Sequence, residues 1–404
     1  MSQRQMRILG QSATTGAHSD RWHRARTASW LLCLSACLPM CARAEVWTLE
    51  TVDSTGLVGQ WTSLALDASG NANISYYDVT QTSLKFASYD GSSWTTQTVD
   101  NSASVGEYTS LGLDASGNAR ISYFDTSADQ LKYASYDSST WTTTVVDATT
   151  GTGTYTSLAL DGSGNPHISY HDDTNGDLKF ASHNGTSWST QTVDSSGNTG
   201  SYTSLAFDSS NNAQISYANE TTNDLMFASF NGSWSSEIVA TGVDAQYTSL
   251  VLDASNNPYI SFFDNSGDDL KVASNTGSGW VVQTVASSGT VGQYSSIALD
   301  PLGRPVISYR DNNGFDLKYA AYDGTNWNIE TVDSVGNVGL FTSIEVNSSG
   351  KVGISYYDND NRDLKFASAT IATPEPSSLT MFALASLGLW GKFRRRRGTR
   401  AAAG

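Results

Sequence analysis

The stretch Tyr108-Thr109-Ser110-Leu111-Gly112-Leu113-Asp114 decides how the rest of the chain is read. Its serine recurs in the same local context seven times along the sequence. The copies are 47 residues apart, except for one interval of 45 residues. Self-similarity at this period is typical of propellers and solenoids, so each residue is interpreted by its position in the repeat. The seven serines are Ser63, Ser110, Ser157, Ser204, Ser249, Ser296 and Ser343.

Each repeat contains four short strand-like phrases, which in the second copy are residues 109–114, 119–125, 131–136 and 141–147. Apolar residues alternate with small or polar ones along these phrases, which is the periodicity of a strand and not of a helix. Gly, Asn, Asp and Ser fill the connections, as expected for tight turns. The repeat region is therefore predicted to be all-β.

The count of phrases at the two ends predicts a closed ring. Tryptophan opens the fourth phrase of six copies, but the seventh copy ends after its third phrase. A matching phrase at residues 47–53 precedes the first copy. Pairing it with the last copy would remove two exposed sheet edges, whereas an open solenoid would need capping repeats. The sequence predicts a seven-bladed β-propeller with four antiparallel strands per blade, closed by its amino-terminal strand.

The amino-terminal segment has the composition of a secretory signal peptide. Three arginines between residues 21 and 26 precede an apolar run at 28–41, and Ala42 and Ala44 form a small-x-small cleavage site. Signal peptidase is therefore expected to cut after Ala44. Lipoprotein-type processing at Cys37 is an open alternative. All three cysteines precede Ala44, so cleavage there would leave no thiol for disulfides or metal binding.

The carboxy-terminal segment has three parts in a fixed order. Pro374-Glu375-Pro376 precedes an apolar stretch at 378–390, and the run Arg394-Arg395-Arg396-Arg397 follows it. This order resembles the PEP-CTERM sorting signal. In that family a membrane transpeptidase, exosortase, cleaves the tail in Gram-negative bacteria that produce exopolysaccharide and biofilm. The resemblance implies a surface or matrix protein anchored transiently in the inner membrane; a plain membrane anchor is the alternative.

These features predict five segments: a signal peptide at 1–44, a propeller at 45–370, a linker at 371–377, a hydrophobic helix with its basic cluster at 378–397, and a disordered tail at 398–404. The propeller segment holds 37 acids and 11 bases, a net charge of −26. A surface this acidic repels phosphates, which excludes nucleic acid as a partner. Membrane contact is expected only through the tail.

Repeated charges are interpreted as structural. An acid ends the second phrase and a lysine lies in the third, but the fourth copy has Asn219 and Met226 instead. Their joint loss predicts a cross-strand ion pair. If exposed, such a pair contributes about 0–1 kcal/mol, mainly to register. The predicted pairs are Asp78 with Lys85, Asp125 with Lys132, Asp172 with Lys179, Asp264 with Lys271, Asp311 with Lys318, and Asp358 with Lys365.

The third turn of each copy is similar to a known propeller element. Ser88-Tyr89-Asp90-Gly91-Ser92-Ser93-Trp94 resembles the Asp-box of sialidase-like BNR propellers. In those families the box is a folding element and not the active site, which implies that its tryptophan packs at the blade edge. The overall pattern is also similar to fucose-specific lectin propellers, but none of their sugar-binding motifs can be placed here.

Catalytic and metal sites are not predicted, because most carboxylates recur with the repeat whereas an active site is asymmetric. The four propeller arginines lie at different levels of their blades, unlike the converging trio of a sialidase. Glu107, Glu220 and Arg310 do not recur, so their convergence would favour a hydrolase or lyase. His167, His171 and His183 are interpreted as exposed substitutions. The arginines are Arg120, Arg304, Arg310 and Arg362.

No cofactor is expected, although calcium remains an alternative. Two loops, at 172–177 and 358–363, have a calcium-like composition but do not follow the EF-hand order.

An aromatic residue opens the first phrase of every copy. If the first strand is innermost, these rings lie near one end of the central channel, with the repeated acids beside them. Rings and carboxylates together suit saccharide binding; core packing between blades is the alternative. The leading prediction is a non-enzymatic exported propeller that binds glycan or exopolysaccharide. A matrix scaffold and a polysaccharide hydrolase or lyase remain alternatives. The aromatic residues are Trp61, Tyr108, Tyr155, Tyr202, Tyr247, Tyr294 and Phe341.

Overall fold

The computed structural model describes residues 45–371, which form 28 β-strands and no helix. The strands form seven four-stranded sheets, and all paired strands are antiparallel. Six sheets use four consecutive strands, while the seventh combines the first strand of the chain with the last three. The predicted seven-bladed propeller is confirmed.

The strands are numbered in chain order, and each sheet is one blade. Blade 1 contains β2 (Val58–Leu66), β3 (Ala72–Asp78), β4 (Ser83–Tyr89) and β5 (Trp94–Asp100). Blade 2 contains β6 (Val105–Leu113), β7 (Ala119–Asp125), β8 (Gln130–Tyr136) and β9 (Trp141–Asp147). Blade 3 contains β10 (Thr152–Leu160), β11 (Pro166–Asp172), β12 (Asp177–His183) and β13 (Trp188–Asp194). Blade 4 contains β14 (Thr199–Phe207), β15 (Ala213–Asn219), β16 (Asp224–Phe230) and β17 (Trp234–Ala240).

The remaining blades follow the same order. Blade 5 contains β18 (Ala245–Leu252), β19 (Pro258–Asp264), β20 (Asp269–Asn275) and β21 (Trp280–Ala286). Blade 6 contains β22 (Val291–Leu299), β23 (Pro305–Asp311), β24 (Asp316–Tyr322) and β25 (Trp327–Asp333). Blade 7 contains β26 (Leu340–Val346), β27 (Lys351–Asp358), β28 (Asp363–Thr370) and, as its outer strand, β1 (Thr48–Asp53).

The first strand closes the ring, as predicted. β1 pairs with β28 so that Thr48 lies opposite Ser368 and Asp53 lies opposite Leu364. Blade 7 therefore gains its fourth strand from the other end of the described chain. This pairing removes the two sheet edges that an unpaired first strand and a three-stranded last blade would expose.

The serine that reveals the repeat joins neighbouring blades. The Leu111 N–H donates to Ser63 Oγ at 3.0 Å, which links the inner strand of blade 2 to that of blade 1. The equivalent bond is present at all seven blade interfaces, with distances of 3.0–3.2 Å. Between blades 7 and 1 the Leu64 N–H donates to Ser343 Oγ at 3.1 Å.

The hydrophobic core is divided among the blade interfaces. Between blades 1 and 2 it contains Leu84, Val105 and Ile121, each fully buried. Trp141 packs edge-on against Phe86 with a centroid separation of 5.3 Å, which places the Asp-box-like tryptophan at the blade edge. Because buried apolar area stabilises by about 25 cal/mol per Å², each blade depends on its neighbours for stability. Within residues 45–371 no helix is long and apolar enough to cross a membrane.

Candidate functional site

A bulge near the start of each inner strand positions the conspicuous aromatic residues. In β6 the pairing with β7 breaks between Glu107 and Ser110, and Tyr108 lies in the break with φ of 53°. All seven aromatic residues have φ between 48° and 55°. Positive φ is uncommon for residues other than glycine, and bulges are known to re-aim side chains. The backbone is therefore strained at the same place in every blade.

The seven side chains form one closed ring, which we call the aromatic collar. It consists of Trp61, Tyr108, Tyr155, Tyr202, Tyr247, Tyr294 and Phe341. Neighbouring ring centroids are 4.5–5.4 Å apart, and Trp61 and Phe341 close the circle at 5.1 Å. The interplanar angles of 40–58° bracket a seventh of a full turn. If all seven ring planes lie parallel to the channel axis, each plane is rotated by a seventh of a turn relative to its neighbour, which agrees with these angles.

The collar surrounds a cavity of about 210 Å³ on the channel axis. Every collar residue is half-buried. Five contiguous blades supply tyrosine, whereas Trp61 and Phe341 stand side by side, so the collar has a hydroxyl-bearing arc and an apolar arc. Burial raises the pKa of Tyr202, and the neighbouring phenols Tyr155 and Tyr247 raise it further. These phenols stay protonated and can donate hydrogen bonds.

The hydroxyl groups directly after the collar residues are already engaged. Thr109 Oγ1 donates to Ser75 Oγ of the preceding blade at 2.8 Å. An equivalent hydroxyl pair joins every blade interface. This layer lines the cavity but is committed to holding the blades together.

The residues directly before the collar residues form a mostly polar rim. Glu107 in this rim is half-buried; burial raises its pKa, and a hydrogen bond with Thr126 partly opposes that effect. The side chains beside the collar therefore carry amides, hydroxyls and a carboxylate, although none of them lines the cavity itself and Ser201 is fully buried. The rim consists of Gln60, Glu107, Thr154, Ser201, Gln246, Gln293 and Leu340.

Two of the three non-recurring charged residues place acids near the collar. The charge of Glu107 raises the pKa of Tyr108, and the exposed Glu220 raises the pKa of Tyr202. In both tyrosines burial is the larger cause. Glu220 also accepts a hydrogen bond from Asn198 Nδ2 at 2.6 Å.

Arg310 is buried, and each of its three guanidinium nitrogens donates one hydrogen bond. It donates to the Val338 carbonyl at 2.7 Å, to Asn337 Oδ1 at 2.8 Å and to Asn312 Oδ1 at 2.6 Å. Burial lowers its pKa. Its side chain holds the loop that leads to the next blade.

The predicted ion pairs are part of a larger buried arrangement. Lys132 Nζ lies 3.7 Å from Asp125 of its own blade but 2.5 Å from Asp100 at the end of the preceding blade. The Tyr123 hydroxyl also donates to Asp100, at 2.6 Å. The estimate for an exposed pair does not apply here, because Lys132 and Asp100 are both over 90% buried. The contact joins two blades, and the Asp at the end of the fourth phrase was the overlooked signal.

The same arrangement recurs with local losses. A Tyr–Asp–Lys triad is complete at the interfaces 7/1, 1/2, 2/3 and 6/7. Blade 4 lacks the lysine because Met226 replaces it. At interface 4/5, Ala240 and Phe262 replace the acid and the tyrosine, and Lys271 contacts Asp264 instead. At interface 5/6, Ala286 replaces the acid. There Lys318 binds Asp316 at 2.9 Å, with Asp311 at 3.8 Å.

Five of the six acids expected beside the collar are buried, and the sixth, Asp311, is half-buried. Asp125 is 5% exposed, and its Oδ1 accepts the N–H groups of Ser127 and Ala128. Asp358 accepts the N–H groups of Asp360 and Asn361 in the same way. The oxygens proposed for sugar or calcium therefore cap their own loops. Among residues 45–371 no three potential metal-ligating side chains form a group.

The three propeller histidines have separate partners. His171 is buried, which corrects the expectation of exposure, and its Nε2 lies 3.1 Å from Asn198 Oδ1. His167 lies 3.4 Å from Asp161, and His183 accepts the Gly185 N–H at 3.2 Å.

The predicted cleavage site at Ala42 and Ala44 and the motif at Pro374, Glu375 and Pro376 lie outside the described residues, as does the arginine run at 394–397. The tail is identified by comparison with known families. Residues 372–397 match the PEP-CTERM protein-sorting motif. The chain carries a PEP-CTERM sorting signal. That signal implies export, cell-surface targeting in Gram-negative bacteria and processing by exosortase. No curated protein matches the sequence.

Solved structures show similar propellers at low identity. A hydrazine synthase from Kuenenia stuttgartiensis is 8% identical with a TM-score of 0.56, covering 76% of this chain and 95% of that chain. The extracellular domain of a putative hybrid two-component system from B. thetaiotaomicron is 14% identical with a TM-score of 0.53, covering 80% and 40%. An α-L-arabinofuranosidase from Fusarium graminearum is 9% identical with a TM-score of 0.50, covering 82% and 98%. The likeness concerns the fold.

Proposed function

We propose that this protein is a non-enzymatic surface or matrix component that binds a glycan at the aromatic collar. The carrying observation is the closed collar, which surrounds a 210 Å³ cavity and has a polar rim beside it. Sugar C–H faces pack on aromatic rings, and sugar hydroxyls pair with amides and carboxylates such as Gln60, Gln246 and Glu107. Before exosortase cleavage, the tail would hold the protein transiently in the inner membrane.

The size of the cavity favours one short glycan segment per propeller. Ligand pockets usually measure about 300–1,000 Å³, and this cavity is smaller. All seven aromatic residues converge on one axis, so they form a single site and not seven equivalent ones. A chain end or a terminal sugar fits this arrangement better than a long stretch of polysaccharide.

The charge around the collar favours neutral or amino sugars over acidic ones. The propeller carries a net charge of −26, and Glu107 and Glu220 lie near the collar tyrosines. The guanidinium of Arg310 is committed to the loop at Asn337 and Val338. Uronate, sialate or sulfate groups would be repelled by this field.

Substitutions in the collar test the proposal. Tyr202→Ala should weaken glycan binding at least tenfold, because it removes both stacking surface and a hydroxyl, whereas Tyr202→Phe should lose less. Tyr322→Ala, at the opposite end of a blade, is the control and should leave binding unchanged. Calorimetric titration of residues 45–404 with neutral, amino and acidic oligosaccharides provides the measurement. The proposal fails if no sugar binds, or if Tyr322→Ala weakens binding as much as Tyr202→Ala.

Absence of catalysis needs its own test, since an arabinofuranosidase shares the fold. The bound glycan should be recovered intact after prolonged incubation. Release of shorter products that stops in Glu107→Gln or Glu220→Gln would overturn the non-enzymatic part of the proposal.

A scaffold role in the matrix is the second candidate, and exposed apolar side chains favour it. Ile238, Val281 and Ile329 are 52%, 53% and 46% exposed on the outer strands of blades 4, 5 and 6. Protein partners that remain bound after enzymatic deglycosylation, and that are lost in Val281→Ser, would favour this role over glycan binding.

A further inference from the structure

The first described residues are fixed to a blade other than the one they complete. The Glu45 N–H donates to both carboxylate oxygens of Glu330, at 3.0 and 3.2 Å. Trp47 packs edge-on against Tyr319 with a centroid separation of 5.2 Å. Both partners belong to blade 6, whereas β1 pairs within blade 7. Residues 45–47 therefore bridge the interface between blades 6 and 7.

Residues equivalent to Glu330 in other blades make a different hydrogen bond. In three blade interfaces the equivalent residue accepts the indole N–H of the next blade's tryptophan. These bonds join Trp94 to Glu50 at 2.8 Å, Trp141 to Gln97 at 3.0 Å and Trp280 to Glu237 at 2.9 Å. Trp47 is the equivalent tryptophan for Glu330, yet its buried Nε1 has no hydrogen-bond partner among residues 45–371, as is also true of Trp234 and Trp327. Glu330 binds the Glu45 nitrogen instead.

We propose that Glu330 is the binding site for the new amino terminus released by signal peptidase. Water cleaves the Ala44–Glu45 amide bond, the carboxylate remains on Ala44, and the amine remains on Glu45. An α-amino group has a pKa of about 7.7–8.0 and is largely protonated at neutral pH. The single N–H donor thus becomes an ammonium with three donors, paired with a carboxylate already in contact. Charge-assisted bonds are roughly twice as strong as neutral ones.

The surroundings favour a cation at this point. Burial raises the pKa of Tyr319, and the charges of Glu45, Asp300 and Glu330 raise it further, with Arg304 opposing them. Three acids and one arginine thus lie near the phenol that packs under Trp47.

Processing therefore fixes the closing strand more firmly, so that the propeller is most stable only after the signal peptide has been removed.

The amino-terminal pair predicts a defined pH dependence. The adjacent Glu330 carboxylate favours the protonated form of the α-amino group, so the pair stabilises the fold at neutral pH, below the reference α-amino pKa of about 7.7–8.0. That contribution is lost as pH rises through the folded pKa. A chain whose Glu45 nitrogen is an amide has no such ion pair, so its stability should not fall for this reason as pH rises.

The test compares residues 45–404 with a free amino terminus, the same chain acetylated, and the chain beginning at Ala44. We expect the free-amine chain to melt a few degrees higher at pH 7, and the three chains to converge near pH 10. Glu330→Gln should abolish the difference at pH 7. Glu50→Gln, the equivalent position bonded to Trp94, is the matched control and should preserve it.

Mass spectrometry of the exported protein supplies the second measurement. A mature chain beginning at Glu45 supports the proposal. A lipidated Cys37 terminus, or any start other than Glu45, overturns it, because the Glu45 nitrogen would then remain an amide or be absent. Equal melting temperatures for free and acetylated chains at pH 7 would also overturn it.

Discussion

At the scale of single residues, Glu345 breaks the symmetry of the inner strands. The Glu345 side chain keeps solvent-accessible surface although protein surrounds it, at a position whose equivalent in blade 1, Ala65, packs against the next blade. Burial raises its pKa to about 7, and a hydrogen bond with the Val346 backbone partly opposes the shift. The equivalent residues of the other blades carry no charge: Ala65, Gly112, Ala159, Ala206, Val251 and Ala298.

Replacing this residue should change the pH dependence of stability. The folded pKa of Glu345 is about 7, above the value of about 4.3 for an unfolded chain, so the fold favours the protonated acid. Ionisation of Glu345 therefore destabilises the folded protein as pH rises from about 4 to 7. Glu345→Gln should match the parent protein near pH 4 and melt higher than it at pH 8. Parallel melting curves for both proteins across this range would contradict the assignment, and the exposed Glu220→Gln serves as control.

At the scale of the strand and blade, the Tyr–Asp–Lys triads decide how firmly neighbouring blades are joined. Burial alone would raise the pKa of Asp100, but bonds from Lys132 and Tyr123 outweigh it and lower the pKa to about 2. Because the folded pKa is depressed, this stabilisation is present above about pH 4 and is lost as pH falls towards 2.

Removing or adding one acid tests the triads. Asp100→Ala should destabilise the propeller by about 3 kcal/mol, because it leaves the Lys132 ammonium buried without its nearest partner. Ala286→Asp at interface 5/6, where Tyr309 and Lys318 are present, should stabilise by about 1 kcal/mol, the net contribution of an added hydrogen bond. Chemical denaturation gives both values. If Ala286→Asp lowers the midpoint, an acid at this position does not form the triad.

The contrast between predicted and observed contacts has a physical cause. The fold followed from the sequence because strand periodicity, turn residues and the displaced phrase at 47–53 all required closure. The collar could also be located, since Tyr108 and its equivalents recur in register. The burial of Asp125 and the contact of Lys132 with Asp100 could not be predicted. Asp125 and Asp100 each lie at the end of a strand, where the alternation of apolar and polar residues no longer indicates which way a side chain points. Similarly, the partner of Glu45 lies 285 residues away.

At the scale of the whole molecule, stability should be uneven around the ring. The interfaces 3/4, 4/5 and 5/6 lack a complete triad, whereas the others have one. Regions with fewer buried contacts open more readily and exchange their amide hydrogens faster. Native-state hydrogen exchange should therefore be fastest in the outer strands β17 and β21. Uniform exchange across all seven blades would contradict this expectation, and Ala286→Asp should slow exchange at β21 specifically.

The antiparallel order within a blade also fixes which way the collar points. Inner strands begin at the collar, so β28, as a third strand, ends at the opposite face, and β1 starts there. Ile371, the last described residue, lies at that face, where its N–H donates to the Gly350 carbonyl at 2.8 Å. A propeller tethered to a membrane through its sorting tail would hold its collar outward, towards the surrounding medium, and cutting the tether would release the molecule without disturbing its outward-looking side.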